Sequence, residues 1–159
     1  MEFVFLCDRP IFIDTVTNWI YKEFIEGFRP GVSKEAIRDI YIASGKDSLP
    51  VTILAVEKDK CIVTISLVKN DLKERTYGPW LASLYIDEDH RGRGIGTKLI
   101  QEIERSAKKL GYEEMYLRTE HAVEYYIKLG WEKVESLNDE FGLYTTVLRK
   151  KFEAISDGV

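Results

Sequence analysis

A glycine-rich segment at residues 87–96, DEDHRGRGIG, contains the residue types that most directly imply chemistry. Three glycines alternate with other residues from Gly92 to Gly96, between an apolar run and a helix-like pattern. Glycine loses more backbone freedom on folding than any other residue, so three in so short a segment need a reason. A helix N-terminus exposes backbone N–H groups and partial positive charge. The segment therefore predicts a phosphate site made by the backbone, to which Arg91 and Arg93 add charged donors.

Two familiar phosphate loops do not fit this segment. The dinucleotide fingerprint G-x-G-x-x-G would need a glycine where Thr97 stands, and the order of elements before the loop is also different. A Walker A loop ends in Gly-Lys-Ser/Thr, whereas here Lys98 follows Thr97. The structural alternative is a tight turn with solvated arginines, which would need only one or two glycines.

A different pattern does fit. The loop reads R-x-x-G-x-G from Arg91 to Gly96, and a second stretch, AVEYYIKLGW at 122–131, is similar to A-x-x-[FLY]-Y-x-x-x-G-[FW]. Together and in this order, the two patterns resemble those of the GNAT superfamily of N-acetyltransferases. The resemblance covers nearly the whole chain as strand, two helices, hairpin, strand–loop–helix, strand–helix and two strands.

The resemblance implies acetyl-CoA as cosubstrate and no metal. In the family, backbone N–H groups of the loop bind the pyrophosphate, while the preceding strand pairs with the pantetheine arm. It also implies a bulge in that strand, with a backbone N–H near Tyr85 or Ile86 polarising the acetyl carbonyl. Thr119 stands where many relatives have an asparagine that contacts the CoA arm. The residues implied to bind acetyl-CoA are Leu84, Tyr85, Ile86, Arg91, Gly92, Arg93, Gly94, Ile95, Gly96, Thr97 and Thr119.

The same resemblance implies a general acid at Tyr126, because the family places a tyrosine four residues before the glycine of the second pattern. A phenol is protonated at neutral pH and can donate to the departing thiolate. The alternative is that Tyr126 belongs only to the apolar face of its helix. Glu120 and His121 are the candidate general bases. Both also fit solvated positions at a helix start, and a chain of waters would need no dedicated base.

The expected activity is transfer of an acetyl group from acetyl-CoA to the primary amine of a small molecule. Two alternatives stay open: a peptide or protein N-acetyltransferase, and an acyl-CoA-binding regulatory module with little turnover. A homodimer is compatible with the resemblance, and acceptor identity does not follow from the sequence. The residues expected to supply the acceptor site are Trp19, Tyr21, Glu23, Glu26, Tyr77 and Trp80.

Composition excludes several other classes. The formal net charge is −4, which disfavours a general nucleic-acid binder because such proteins present a basic face. Cys7, Cys61, His90 and His121 show no zinc-ligand spacing. No apolar run approaches membrane-spanning length and no targeting pattern is visible, so we expect a cytoplasmic protein without a membrane partner.

The elements that must position these residues follow from periodicity. A 45% hydrophobic and 31% charged composition is typical of a globular domain. We expect one domain over 1–159 of mixed α/β class, with a mostly antiparallel sheet of six or seven strands and about four helices. Strands are predicted at 2–8, 51–57, 61–68, 79–87, 114–119, 131–137 and 142–152, and helices at 14–29, 33–44, 95–110 and 121–130.

Overall fold

Seven strands form one sheet in the computed structural model, which describes residues 1–153. Their spatial order is β1-β2-β3-β4-β5-β7-β6, and every neighbouring pair is antiparallel except β4 with β5. This confirms the expected fold class, while residues 154–159 of the predicted domain lie outside the described residues. The strands are β1 Glu2–Phe5, β2 Val51–Glu57, β3 Lys60–Val68, β4 Trp80–Ile86, β5 Glu114–Thr119, β6 Glu132–Asn138 and β7 Tyr144–Lys151.

Helices cover both faces of the sheet. Side chains of adjacent β2 residues point to opposite faces. Leu54 accordingly packs with the first two helices, whereas Ile53 and Ala55 pack in the larger core with the third. The helices are α1 Ile13–Ile20, α2 Lys34–Ile42, α3 Ile95–Lys109 and α4 Val123–Lys128.

The first helix differs most from its prediction. The α-helical part ends at Ile20 and continues as a π-helical turn over Tyr21–Ile25, closed by the Glu26 N–H donating to the Tyr21 carbonyl at 2.7 Å. Gly27 then adopts a left-handed conformation with φ 81°, which ends the helix before Pro30. The second helix begins as predicted, because the Ser33 hydroxyl accepts a hydrogen bond from the Ala36 N–H at 3.0 Å.

The sheet opens between β4 and β5. The two strands share one registered pair, Trp80 opposite Tyr116, near the start of β4. Farther along β4, Ser83 has φ 58° inside a bulge that lies between the pairs Ser66–Ala82 and Thr64–Tyr85. A bulge bends its strand and increases the local twist. The bulge therefore lies where β4 turns away from β5, just before the predicted Tyr85 and Ile86.

A buried ion pair lies at the edge of this opening. The Arg118 guanidinium on β5 donates to the Asp139 carboxylate at 2.6 Å, and the two side chains are 6% and 1% exposed. Asp139 also accepts from the N–H groups of Phe141 and Leu143. Burial opposes ionisation of Asp139, but these hydrogen bonds prevail and its pKa is lowered. The pair holds the segment after β6 against β5.

Replacing Arg118 by leucine should destabilise the protein by about 3–5 kcal/mol, because it leaves a buried carboxylate without its partner. Urea denaturation at pH 7 measures this change. Arg105→Leu is the matched control, since Arg105 also contacts a carboxylate, that of Glu102, at 2.6 Å but is 73% exposed. The control should leave the free energy of unfolding nearly unchanged. Equal losses in both variants would contradict the role assigned to the buried pair.

Candidate active site

The glycine loop leaves the N-terminus of α3 free of a side-chain cap. Gly94 is the N-cap residue with φ 73°, and Gly92 has φ 80°. A Cβ atom built at either glycine would have no atom within 4 Å, so the backbone conformation, not crowding, requires glycine there. At Gly96 the reason is space, because a Cβ would lie 3.0 Å from the Ile86 side chain. The N–H groups of the first turn thus face an open approach suited to an anion.

Both loop arginines are held by the protein itself. The Arg91 Nε donates to the Ile86 carbonyl at 3.0 Å, and its guanidinium lies 5.4 Å from the centre of the Tyr85 ring. The Arg93 guanidinium reaches both carboxylate oxygens of Glu57 at 3.3 and 3.4 Å. The arginine side chains therefore bind groups of β2 and β4, whereas the backbone N–H groups of the loop remain available to a ligand.

A cavity of about 730 Å³ occupies the opening between β4 and β5. Its walls come from α1 and its π-helical extension, α2, the segment between β3 and β4, the two parted strands and α4. Sites for small molecules measure about 300–1,000 Å³. Of the residues predicted to act in binding or catalysis, those that line the cavity are Leu84, Thr119, Glu120, His121 and Tyr126.

Tyr126 is the predicted general acid and one of two phenols that line this cavity. It lies in α4 with 8% of its surface exposed, and the rings of Tyr125 and Trp131 meet it edge to face at centroid distances of 5.1 and 5.9 Å. Burial, with a smaller contribution from Tyr125, raises the pKa of Tyr126 to about 12. The phenol therefore carries its proton throughout the neutral range.

The two predicted bases lie at the exposed end of β5. The Glu120 carboxylate accepts a hydrogen bond from the Thr145 hydroxyl at 3.1 Å, which holds it at the cavity wall beside His121. The Thr119 hydroxyl accepts from the Ala122 N–H at 3.0 Å at the start of α4. Since that bond uses an acceptor lone pair, the hydroxyl hydrogen of Thr119 stays free for another partner.

The expected acceptor residues divide into two groups. Glu23 lines the cavity. Trp19 instead packs on the Tyr85 ring at 5.1 Å, and Trp80 is fully buried with Tyr77 stacked on it at 5.4 Å. Neither tryptophan lines the cavity, and the same holds for Tyr21, Glu26 and Tyr77.

Sequence reasoning missed several polar residues of the cavity, among them Asp71 and Tyr41. Burial raises the pKa of Asp71 to about 6, although Arg29 and Arg118 oppose the shift. Asp71 lies in the stretch KNDLKERTYG, whose polarity is typical of a solvated connection, so no local signal marks it. Tyr41 is buried on α2 and lines the same cavity, and burial raises the pKa of its phenol. Only the fold brings these residues into the opening.

Comparison with known proteins decides the family. Residues 13–131 match the acetyltransferase (GNAT) family, a range that includes the glycine loop, the parted strands and Tyr126. The chain belongs to the GNAT acetyltransferase family. This confirms the resemblance drawn from the two sequence patterns and the acyltransferase class expected from it.

Individual GNAT relatives agree with that assignment. A stretch of 56 residues is 43% identical to an uncharacterized N-acetyltransferase of Methanocaldococcus jannaschii and covers 33% of this chain and 25% of that relative. The match thus spans about a quarter of the relative's length. An aminoglycoside 6'-N-acetyltransferase complexed with coenzyme A superposes with a TM-score of 0.76 at 18% identity, over 99% of this chain and 100% of the other. The aminoglycoside 6'-N-acetyltransferase from Enterococcus faecium gives 0.74 at 18% identity over the same shares.

Among residues 1–153, no three His, Cys, Asp or Glu side chains are grouped as metal ligands. No helix in that range has the length and apolar character needed to cross a bilayer.

Gly94→Val should abolish stabilisation by acetyl-CoA, because a branched side chain would stand in the left-handed turn from which the loop amides face the ligand. Thermal melting with and without acetyl-CoA measures the loss. Gly111→Val is the matched control, since Gly111 has φ 93° and equally open surroundings at the other end of α3. The control should melt earlier yet keep its acetyl-CoA-dependent rise. A retained rise in Gly94→Val would remove the loop from the binding site.

Proposed function

We propose that this GNAT protein transfers the acetyl group of acetyl-CoA directly to a primary amine of a small molecule. The observation that carries the proposal is the cavity between β4 and β5, with Tyr126 in its wall. β4 runs from this cavity at Leu84 to the uncapped glycine loop at the start of α3. One strand therefore connects a site for an acceptor with a site for a phosphate-bearing donor.

The residues present fit coenzyme A. The open N-terminus of α3 suits the pyrophosphate, with Gly92 to Gly96 and Thr97 around it. Because β4 pairs with β5 only at Trp80, the backbone groups of Leu84 to Ile86 that face β5 have no strand partner. They are available to the pantetheine arm, apart from the Ile86 carbonyl, which accepts from Arg91. A structural relative complexed with coenzyme A supports this cosubstrate. When bound, acetyl-CoA supplies the thioester whose acyl group is transferred.

In this reaction the side chains of the protein have to transfer protons. A neutral amine attacks the thioester carbonyl, a C–N bond forms and the C–S bond breaks. Tyr126 gives its proton to the departing thiolate, which its raised pKa permits at neutral pH. Glu120 and His121 line the cavity and are the sequence-predicted candidates for accepting the proton of the amine.

The lining of the cavity suggests the kind of acceptor. Its charged side chains are three carboxylates and three cations, and one of the cations, Arg118, is paired with Asp139 outside the lining. The small negative excess that remains suits one amine better than a polycation. Apolar side chains provide much of the remaining surface, and three that line it, Phe24, Phe28 and Ile40, are 38%, 49% and 48% exposed. A single amine on an apolar body fits this lining better than an aminoglycoside. The charged residues are Glu23, Asp71, Glu120, Arg29, Lys69 and Arg118.

Thiol release from acetyl-CoA should therefore be faster with arylalkyl and alkyl monoamines than with aminoglycosides, by at least tenfold in kcat/KM. The measurement uses a thiol reagent and a panel of monoamines, polyamines, aminoglycosides, amino acids and peptides. Preference for a peptide would favour the protein N-acetyltransferase. Acetyl-CoA binding without thiol release on any acceptor would favour the regulatory module, and a preference for aminoglycosides would contradict the argument from charge.

Tyr126→Phe should lower kcat by roughly 10- to 1,000-fold with little change in acetyl-CoA affinity, because only the donated proton is lost. Steady-state kinetics and a binding titration separate the two quantities. Tyr125→Phe is the neighbouring control: Tyr125 is 42% exposed and its hydroxyl bonds with that of Thr97 at 3.1 Å, outside the cavity lining. That variant should keep kcat near the wild-type value. An unchanged kcat in Tyr126→Phe would exclude Tyr126 from the reaction.

A further inference from the structure

We propose that Asp71 receives the ammonium group of the acceptor and removes its proton before attack, an assignment that rests on the proposed function. Asp71 lies on the segment between β3 and β4, in the wall of the same cavity as Tyr126. The assignment depends on the position of Asp71 in the cavity wall, because no motif in the neighbouring sequence marks this residue. A carboxylate in this wall meets an amine that enters between the parted strands.

The segment holds Asp71 in place on both sides. The Arg118 guanidinium donates to the Asp71 carbonyl at 3.4 Å. The next residue, Leu72, is 5% exposed and packs in a cluster with Trp80, Tyr116 and Val147. A fixed backbone and an anchored neighbour keep the carboxylate at the cavity, as a catalytic group requires.

The carboxylate of Asp71 is free to take a cationic ligand. Within residues 1–153, no lysine, arginine or histidine nitrogen forms an ion pair with it at 4 Å or less. The nearby Arg118 is already neutralised by Asp139 at 2.6 Å. An incoming ammonium would therefore supply a charge partner that Asp71 lacks within the described chain.

The groups around Asp71 suit a proton acceptor. Burial raises its pKa to about 6; Arg29 and Arg118 lower the pKa, while Glu120 raises it. Tyr41 on α2 faces it as well and is influenced by its charge. A base is most effective when its pKa lies near the working pH, so Asp71 is ionised at pH 7 yet binds a proton more strongly than an ordinary carboxylate.

The proposed step balances. One ammonium proton passes to Asp71, and the nitrogen lone pair so released forms the C–N bond. The C–S bond breaks with its electron pair on sulfur, which takes the proton of Tyr126. The second proton lost by nitrogen restores Tyr126 through solvent, and Asp71 returns its proton to solvent. One proton is released for each amide formed.

The test compares Asp71→Asn with the wild type on two monoamines of similar shape, an alkylamine and a fluorinated amine that is already neutral at the assay pH. With the alkylamine, kcat/KM should fall on the order of 100- to 10,000-fold, because its ammonium has a pKa of about 10 and needs a base. With the neutral amine the fall should be less than about tenfold. The acid limb of the wild-type pH profile near pH 6 should be absent from the variant.

Two variants guard against a merely structural effect. Asp71→Glu keeps the carboxylate and should retain the acid limb and most of the activity. Glu74→Gln, an exposed change on the same segment, should behave as wild type on both amines. Equal losses on both amines in Asp71→Asn, or no loss on the alkylamine, would overturn the assignment. A selective loss in Glu120→Gln instead would transfer the role to Glu120. Absence of thiol release from the wild type itself would overturn the proposed function, and this assignment with it.

Discussion

The parting of two parallel strands is the constraint on which the rest of the structure depends. β4 and β5 pair only where Trp80 meets Tyr116, and the bulge at Ser83 turns β4 away beyond that point. Backbone groups of a central strand are thereby left unpaired, which is costly unless a ligand uses them. The opening creates both the edge that suits a pantetheine arm and the cavity that suits an acceptor.

Burial has one consequence for both proton-carrying groups of the cavity. Removing a carboxyl or a phenol from water disfavours its charged form, so the pKa values of Asp71 and Tyr126 both rise. The rise makes Asp71 a stronger proton acceptor near pH 7. It makes Tyr126 a weaker acid, but a phenol is protonated at neutral pH with or without the rise, so its proton is present there.

Charge is distributed differently in the two halves of the site. At the loop, Arg91 and Arg93 are bound to β4 and β2, so the positive end of α3 is left to attract the anion. In the cavity, Arg118 is neutralised by Asp139. Asp71 is left as a carboxylate without an ion pair among the described residues. At the loop the arginines are thus paired within the protein and the helix dipole is left for the anion, while in the cavity Asp71 is left for a cationic ligand.

The sequence by itself determined the seven strands, the four helices, the glycine loop and the family. Each depends on signals confined to a few residues: side-chain alternation, helical spacing, the Ser33 cap and glycines that permit left-handed turns. The π-helical extension of α1 and the place of Asp71 could not be predicted in this way. Only the tertiary structure decided them, because whether a polar residue is solvated or faces a cavity depends on segments far apart in the chain. For the same reason the position of Trp80 in the core and of Asp71 in the cavity wall is known only from the tertiary structure.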